Sequence, residues 1–258
     1  MSTLILRENR DGIAIVTLNQ PEKRNALSLA LLQALYDQFR TIQADSKTRA
    51  VILKANGSVF SSGHDLKELA GAQPALLEEV FEVCTRVMEL IPALPQPVIA
   101  MVHALATAAG CQLVASCDLV IASEKASFAT PGVKVGLFCN TPGIPLVRAL
   151  PIKKALEMLY TGEPISAEEA ARFGMVNRVV PAEKLEEETL IFAKKIAGAS
   201  SAVLAQGKQF FYRQLAMPRS DAYELAEPLM VKSAASPDCQ EGIKAFFEKR
   251  MPVWPGNA

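Results

Sequence analysis

Two short segments of the chain combine small residues, glycine and a helix start in a way that frees backbone donors: Ser61-Ser62-Gly63-His64-Asp65-Leu66 and Ala108-Ala109-Gly110-Cys111-Gln112. Each places a turn directly before a predicted helix, where unpaired N–H groups and the helix dipole favour a developing negative charge. Together the amides of His64 and Ala109 could form a two-donor oxyanion hole, in which one donor contributes about 2.7–4 kcal/mol. Close packing of two helix starts would call for the same small residues, so spacing alone leaves both uses open. Cys111 and Cys139 are nucleophiles by type, but neither has a histidine or a basic residue beside it in the chain. Free cysteine commonly serves as a small core hydrophobe, so covalent catalysis is set aside. Asp65, at a helix start, reads as a cap rather than a base.

The elements that must position these turns alternate along the chain. Apolar runs at Thr3–Glu8 and Ile13–Leu18 flank Asp11-Gly12, a hairpin signal, and Ser28 is placed to cap an amphipathic helix ending near Ala44. Ala50–Lys54 reads as a buried strand, and Gly57–Asp65 as a loop delivering amides to a helix start. Helix Pro74–Leu90, strand Val98–Val102, helix Ala108–Ser116 and strand Asp118–Ala122 follow. Such alternation implies right-handed crossovers and a largely parallel sheet covered by helices. From Lys153 onward helices dominate: Lys153–Tyr160, Ser166–Phe173, Ala182–Gly198, Ala202–Gln214, Asp221–Ala235 and Pro237–Lys249, with one brief strand at Val176–Val180.

Composition narrows the function classes. Lys and Arg number 27 against 27 Asp and Glu, so the formal net charge is 0 and no field draws the chain to nucleic acid or an anionic membrane. Half of the 258 residues are hydrophobic, which suits a packed core and excludes disorder as the main state. Five cysteines without a CxxC pair, and two histidines, argue against a disulfide framework or a zinc site. Leu90–Cys117 carries no Asp, Glu, Lys or Arg, yet Pro92, Pro95 and Pro97 break it, so a buried strand, turn and helix are expected rather than a membrane span. The N-terminal stretch has too short an apolar run for a signal peptide and carries acidic residues that transit peptides avoid, so a cytoplasmic location is expected.

The ordered set Pro21…Asn25-Ala26-Leu27, Phe60-Ser-Ser-Gly-His-Asp-Leu-Lys-Glu-Leu69, Pro97-Val-Ile-Ala, Gly110-Cys111, Cys117-Asp118 and Pro164-Ile-Ser-Ala-Glu-Glu-Ala resembles the crotonase, or enoyl-CoA hydratase/isomerase, family, and covers nearly the whole chain. The resemblance implies an α/β fold, a spiral of ββα units over residues 1–200, with a helical C-terminal layer over 201–258 that makes a homo-trimer or hexamer. It also implies an acyl-CoA thioester as ligand, with CoA part of the substrate and no separate cofactor or metal. By position the enolate oxygen falls between the His64 and Ala109 amides. Lys67 and the Ser62 backbone resemble the family's adenine-binding strip, Arg24 lies where the CoA phosphates run, and Phe246 with Lys249 resembles a contribution from the C-terminal helix or an adjacent subunit.

Hydratases of this family use two glutamates to position and activate water, and both positions differ here: Gln112 stands at the first and Gly132 at the second. Glutamine is no general base at neutral pH and glycine has no side chain, and losing a general acid–base group costs about 10²–10⁴-fold in rate. His64, Gln112, Cys139 and Asn140 are the polar groups left to face the acyl carbon. The Ser-Ser-Gly-His loop is similar to that of methylmalonyl-CoA decarboxylases of the same superfamily, which place tyrosine at the Cys139 position and glutamate at the Gln112 position. Three outcomes therefore stand: a hydratase/isomerase of weak or altered activity, a decarboxylase or other lyase with His64 and Asn140 sufficing, or a non-catalytic acyl-CoA binder.

Overall fold

The computed structural model describes residues 3–257. Strands β1 (Ile5–Arg10) and β2 (Ile13–Leu18) pair antiparallel across Asp11 and Gly12, whose φ angles of 53° and 78° are the positive values a two-residue hairpin demands. Ser28 caps helix α1 (Leu29–Gln43), its hydroxyl accepting from the Leu31 N–H at 3.3 Å. Then come β3 (Ala50–Ala55), the single turn α2 (Leu66–Leu69), α3 (Pro74–Ala93), β4 (Val98–Val102), β5 (Ala106–Thr107), α4 (Ala109–Ser116), β6 (Leu119–Ser123) and β7 (Ser127–Ala129). The chain continues through α5 (Asn140–Ala149), α6 (Ile152–Thr161), β8 (Ile165–Ser166), α7 (Ala167–Arg172), β9 (Arg178–Val180), α8 (Leu185–Ala197), α9 (Ser201–Gln214), α10 (Arg219–Ala234) and α11 (Pro237–Phe247).

The main sheet has the order β1-β2-β3-β4-β6-β9 and is parallel from β2 onward. Its inner strands β2, β3, β4 and β6 are buried on both faces, and their side chains alternate between two cores. Val16, Leu18, Val51, Leu53, Val98, Ala100 and Val102 pack with α1, α3 and α4, while Ile13, Ile15, Ile52, Ile99, Met101 and Ile121 meet Leu185, Ala193 and Ala197 of α8. Each fully buried Leu or Ile contributes about 1.5–3 kcal/mol, so the sheet is a rigid base for the loops at its edge. A second sheet, β5-β7-β8, lies beside it and supports the turn at Ala108.

Several elements depart from the sequence expectation. The three strands of the small sheet are two or three residues long, too short for alternation to register. Helix α5, which carries Pro142 and Pro145, is not among the expected elements; Pro142 sits in its first turn, where an N–H would have no helical acceptor. The helix expected from Ala182 opens as a 3-10 turn at Ala182–Lys184, and the strand expected at 176–180 pairs only over Arg178–Val180. The uncharged run 90–117 is divided among α3, β4, β5 and α4; among the described residues no helix is long and apolar enough to cross a membrane.

Helix α9 is pinned to the core by charge. Lys208 Nζ lies 2.6 Å from Asp118 Oδ2 and donates to the carbonyls of Ile91 and Gln96 at 2.8 and 2.9 Å. Tyr212 donates its hydroxyl to Asp118 Oδ1 at 2.8 Å, and the same carboxylate accepts from the Val98 N–H. Every donor of the buried ammonium is thereby satisfied, which a buried ion pair needs if it is not to destabilise.

Candidate active site

The two glycine-bearing turns lock together. Ser61 is buried and bridges to Ala106: the Thr107 N–H donates to the Ser61 carbonyl at 3.0 Å, and the Phe60 N–H to that of Leu105 at 2.9 Å. The Ser61 hydroxyl donates to the Asn25 carbonyl and accepts from the Gly63 N–H, while the Leu27 N–H donates to the Gly63 carbonyl at 2.7 Å. Gly63 has φ +85°, and a Cβ there would lie 2.7 Å from the Ala108 Cβ and 3.3 Å from the Ala109 nitrogen. A Cβ on Gly110 would meet Ser61 at 2.7 Å. Glycine at these two places is what lets the loops approach this closely.

The consequence is that Gly63, which precedes His64 in the chain, packs against the turn at Ala108 and Ala109. Ala109 is the first residue of α4, so its N–H has no acceptor within the helix. Among the described residues the His64 N–H donates to no backbone or side-chain acceptor. Ala108, which aims the second amide, is held at φ 51°, ψ −122°, a region that L-residues rarely occupy, with its own N–H donating to the Ala129 carbonyl at 2.9 Å.

Both turns open on a cavity of about 410 Å³. Its walls are Ser62, His64, Leu66 and Leu69 on one side, Phe81 of α3 on another, and the segment from Pro131 to Pro142 opposite. The imidazole of His64 meets the Phe81 ring edge-on at 5.1 Å between centroids, and its Nε2 is buried without a partner. Burial lowers the His64 pKa to about 4, so the ring is neutral near pH 7. Burial also raises the thiols, Cys139 above its ordinary value and Cys111 to about 12, so neither is a thiolate nucleophile. Among the described residues Lys134 is the only charged side chain on this wall, and its ammonium is paired with Glu163 at 2.6 Å.

The structure gathers Ser62, His64, Ala109, Gly132, Cys139 and Asn140 around one cavity. Gln112 is not among them: it is 3 % exposed and lines a second cavity between α3, α4 and α5. Nor is Gly132 an open position from which a carboxylate has merely been deleted. A Cβ there would stand 2.2 Å from the Leu137 carbonyl oxygen and 2.6 Å from Cys139 Sγ, because the chain turns back on itself where the Leu137 N–H donates to the Gly132 carbonyl at 2.9 Å. Arg24 is exposed and does not line the cavity, though its carbonyl accepts from the Ser62 N–H at 3.0 Å; Lys67 is exposed on α2, where Asp65 caps its N–H. Phe246 lies apart, on a cavity of about 610 Å³ formed by α9, α10 and α11, and Lys249 follows α11 in the left-handed region at φ 55°. Within one chain neither approaches the His64–Ala109 turns. Phe81, Phe138 and Thr141 escaped the sequence reading, since an aromatic at helical spacing reads as core and Thr141 precedes a proline.

Fold, turns and cavity together place the chain among proteins already characterised. The enoyl-CoA hydratase/isomerase family matches residues 8–257. The chain belongs to this family. It is 56% identical over 246 residues to "Enoyl-CoA hydratase domain-containing protein 3, mitochondrial" of Rattus norvegicus, covering 95% of this chain and 82% of the relative. The crystal structure of human enoyl-CoA hydratase domain-containing protein 3 superposes with a TM-score of 0.95 at 52% identity, covering 98% of this chain and 100% of that one. An enoyl-CoA hydratase structure from Mycobacterium smegmatis gives 0.95 at 46% identity, covering 98% and 99%. The crotonase fold expected from the motifs is therefore the fold of this chain. The rat relative and its mouse, frog and human counterparts are all named mitochondrial, which overturns the expectation of a cytoplasmic location drawn from the N-terminal residues.

Proposed function

We propose that the protein binds an acyl-CoA thioester with the thioester oxygen between the N–H groups of His64 and Ala109, and that it promotes reactions passing through the enolate. The observation that carries this reading is the interlock of Gly63 with Ala108 and Ala109 at the cavity wall. An enolate oxygen needs preorganised donors more than an ionisable side chain, and backbone amides fixed by a packed turn require no reorganisation when charge develops. Among the described residues the cavity wall carries no Asp or Glu, so hydration through a carboxylate pair is expected to be slow. CoA enters as part of the substrate, and the exposed apolar side chains of α10 and α11, Met230, Phe246 and Phe247 among them, support assembly of a homo-trimer or hexamer through the C-terminal layer.

A second reading draws on the same wall. A thioester bearing a carboxylate, as a methylmalonyl group does, meets no like charge in this cavity, and Asn140 is there to donate to it. Loss of CO₂ would leave the same enolate at the same two amides. A panel of crotonyl-CoA, longer 2-enoyl-CoAs, 3-enoyl-CoAs and methylmalonyl-CoA separates these readings, and binding without turnover of any of them identifies a non-catalytic acyl-CoA binder.

The common element is tested at Ala109. Proline is tolerated at the first position of a helix but lacks the N–H, so Ala109→Pro should lower turnover or affinity about 10²–10³-fold, whereas Ala109→Gly, which keeps the donor, should not. Equal behaviour of the two variants, or a thioester complex with its oxygen beyond hydrogen-bond reach of both amides, would overturn the proposal.

A further inference from the structure

The five cysteines stand in different surroundings, and one of them is in the thioester cavity. Cys84, Cys111 and Cys117 are packed in the core, where burial pushes the first two thiols up to about 12 and the third higher still. Cys239 is half-buried on α11 and lines the cavity of about 610 Å³ there. Of the five, only Cys139 lines the cavity of about 410 Å³, on the wall opposite the His64 and Ala109 turns. Resting on the acyl-CoA reading above, we propose that Cys139 is a modification site for 2-enoyl thioesters: its thiol adds to C3 of a thioester held at those two amides, leaving a thioether that retains the whole CoA ester.

The surroundings of the sulfur suit this role. Cys117 spends its S–H on the Leu113 carbonyl at 3.3 Å, whereas among the described residues no acceptor takes the S–H of Cys139. Cys139 is 7 % exposed, so a reagent in bulk solvent reaches it poorly and a ligand seated in the cavity meets it. Glycine at 132 leaves room for the sulfur, since a Cβ there would stand 2.6 Å from Sγ. Burial raises the Cys139 thiol, and the Gly132 N–H, donating to the sulfur, opposes that rise. Cys139 also immediately precedes α5, whose N-terminal end favours negative charge on sulfur.

The addition balances without a further reagent. The sulfur forms a bond to C3, and the π pair of the C2–C3 double bond passes into an enolate whose oxygen lies at the His64 and Ala109 N–H groups. The thiol proton ends on C2; nothing leaves and nothing is oxidised. Water has no such help, because among the described residues no carboxylate lines the cavity to take its proton, and a thiol is the better nucleophile near pH 7. The thiol is un-ionised at rest, so the step is a slow labelling of the site rather than a turnover, and its product fills the cavity.

Intact-mass spectrometry after incubation with crotonyl-CoA tests the assignment, with butyryl-CoA, which lacks the double bond, as the competitor. The wild type should gain the whole mass of crotonyl-CoA once, and peptide mapping should place it on Cys139. Cys139→Ser should lose the adduct and Cys239→Ser should keep it. Butyryl-CoA at about ten times its Kd should slow the labelling about tenfold. Ala109→Pro should slow it about tenfold or more and Ala109→Gly should not, because the reaction needs the amide. A gain of the crotonyl group alone would mean acyl transfer with loss of CoA and would overturn the inference. So would labelling of Cys239 as fast as Cys139, or labelling that butyryl-CoA does not slow, since either marks ordinary thiol reactivity. Calorimetry with butyryl-CoA separates the two levels of the argument. Binding of butyryl-CoA with no adduct from crotonyl-CoA overturns this inference alone, and no binding overturns the thioester reading with it.

Discussion

Installing glutamates at both of the positions where the hydratases carry them, Gln112→Glu with Gly132→Glu, should fail to create a competent hydratase, and Gly132 is the reason. Its missing Cβ would sit 2.2 Å from the Leu137 carbonyl oxygen, where ordinary contact begins near 3.4 Å, so that carbonyl must retreat by about 1 Å. The same turn is closed by the Leu137 N–H donating to the Gly132 carbonyl at 2.9 Å, and Cys139 Sγ at 2.6 Å blocks the other exit. Overpacking of this kind costs about 1–3 kcal/mol, and loss of the turn's hydrogen bond adds about 1 kcal/mol. Gly132→Ala alone should therefore lower the melting temperature by roughly 5–10 °C in a chain of this size. Gln112→Glu contributes a carboxylate inside the other cavity, away from the His64 and Ala109 amides, and buries it. Crotonyl-CoA hydration and thermal melts of the two single variants and the double variant are the assay. A Gly132→Ala protein that melts with the wild type would refute the steric reasoning. A double variant turning over crotonyl-CoA at about 10 s⁻¹ or more would show that both positions reach the substrate after all.

Other expectations rest on separate features. The His64 pKa falls from 6.5 to about 4 on folding, so the unfolded chain binds a proton that the native one refuses between those values; stability is untouched above about pH 7 and declines by up to about 3 kcal/mol as pH falls from 6.5 to 4, a decline that His64→Gln should remove in urea titrations across that range. Ala108→Gly should stabilise by about 1 kcal/mol, since glycine accepts φ 51°, ψ −122° without strain, while acetyl-CoA affinity holds within about twofold. Lys208→Met strands the Asp118 carboxylate and should cost about 3–5 kcal/mol by denaturant unfolding; a loss under about 1 kcal/mol would show that water replaces the ammonium there. Sedimentation at micromolar concentration should give a trimer or hexamer, and a monodisperse monomer would refute the assembly.

Much of the fold was legible because its signals are local. The apolar runs of β2, β3 and β4, the hairpin at Asp11-Gly12 and the Ser28 cap each depend on residues next to one another, and each falls where the pattern places it. What escaped depends on distant partners. Strand β5 exists because Ser61 and Phe128 flank it, and α5 forms because Pro142 lies in its first turn. The same division runs through the site. The two turns at Gly63 and Ala109 announce themselves by small residues before helices, whereas the direction of Gln112 depends on where α3 and α5 leave room. A motif gives the position of a side chain along a helix, and the packing of the neighbouring helices decides which cavity it enters.

The placement of Gly132 changes what the absence of a second carboxylate means. A glutamate lost by simple substitution would leave a gap that water or a longer neighbour fills, and the position would accept a side chain again. Here the chain has closed over the place: Leu137 folds back onto Gly132, Cys139 packs against it, and a Cβ on Gly162 would stand 2.8 Å from the Cα of the preceding Pro131. The 131–140 wall is thus shaped around the lack of a side chain, while the opposing amides of His64 and Ala109 stay held by a separate set of bonds to Asn25, Leu27, Leu105 and Ala129. The turns at Gly63 and Ala108 are thus formed although the facing wall leaves no room for a side chain at position 132. The chemistry open to such a site is the chemistry that needs only backbone donors, which is why enolate stabilisation, rather than carboxylate-driven hydration, is the activity to look for first.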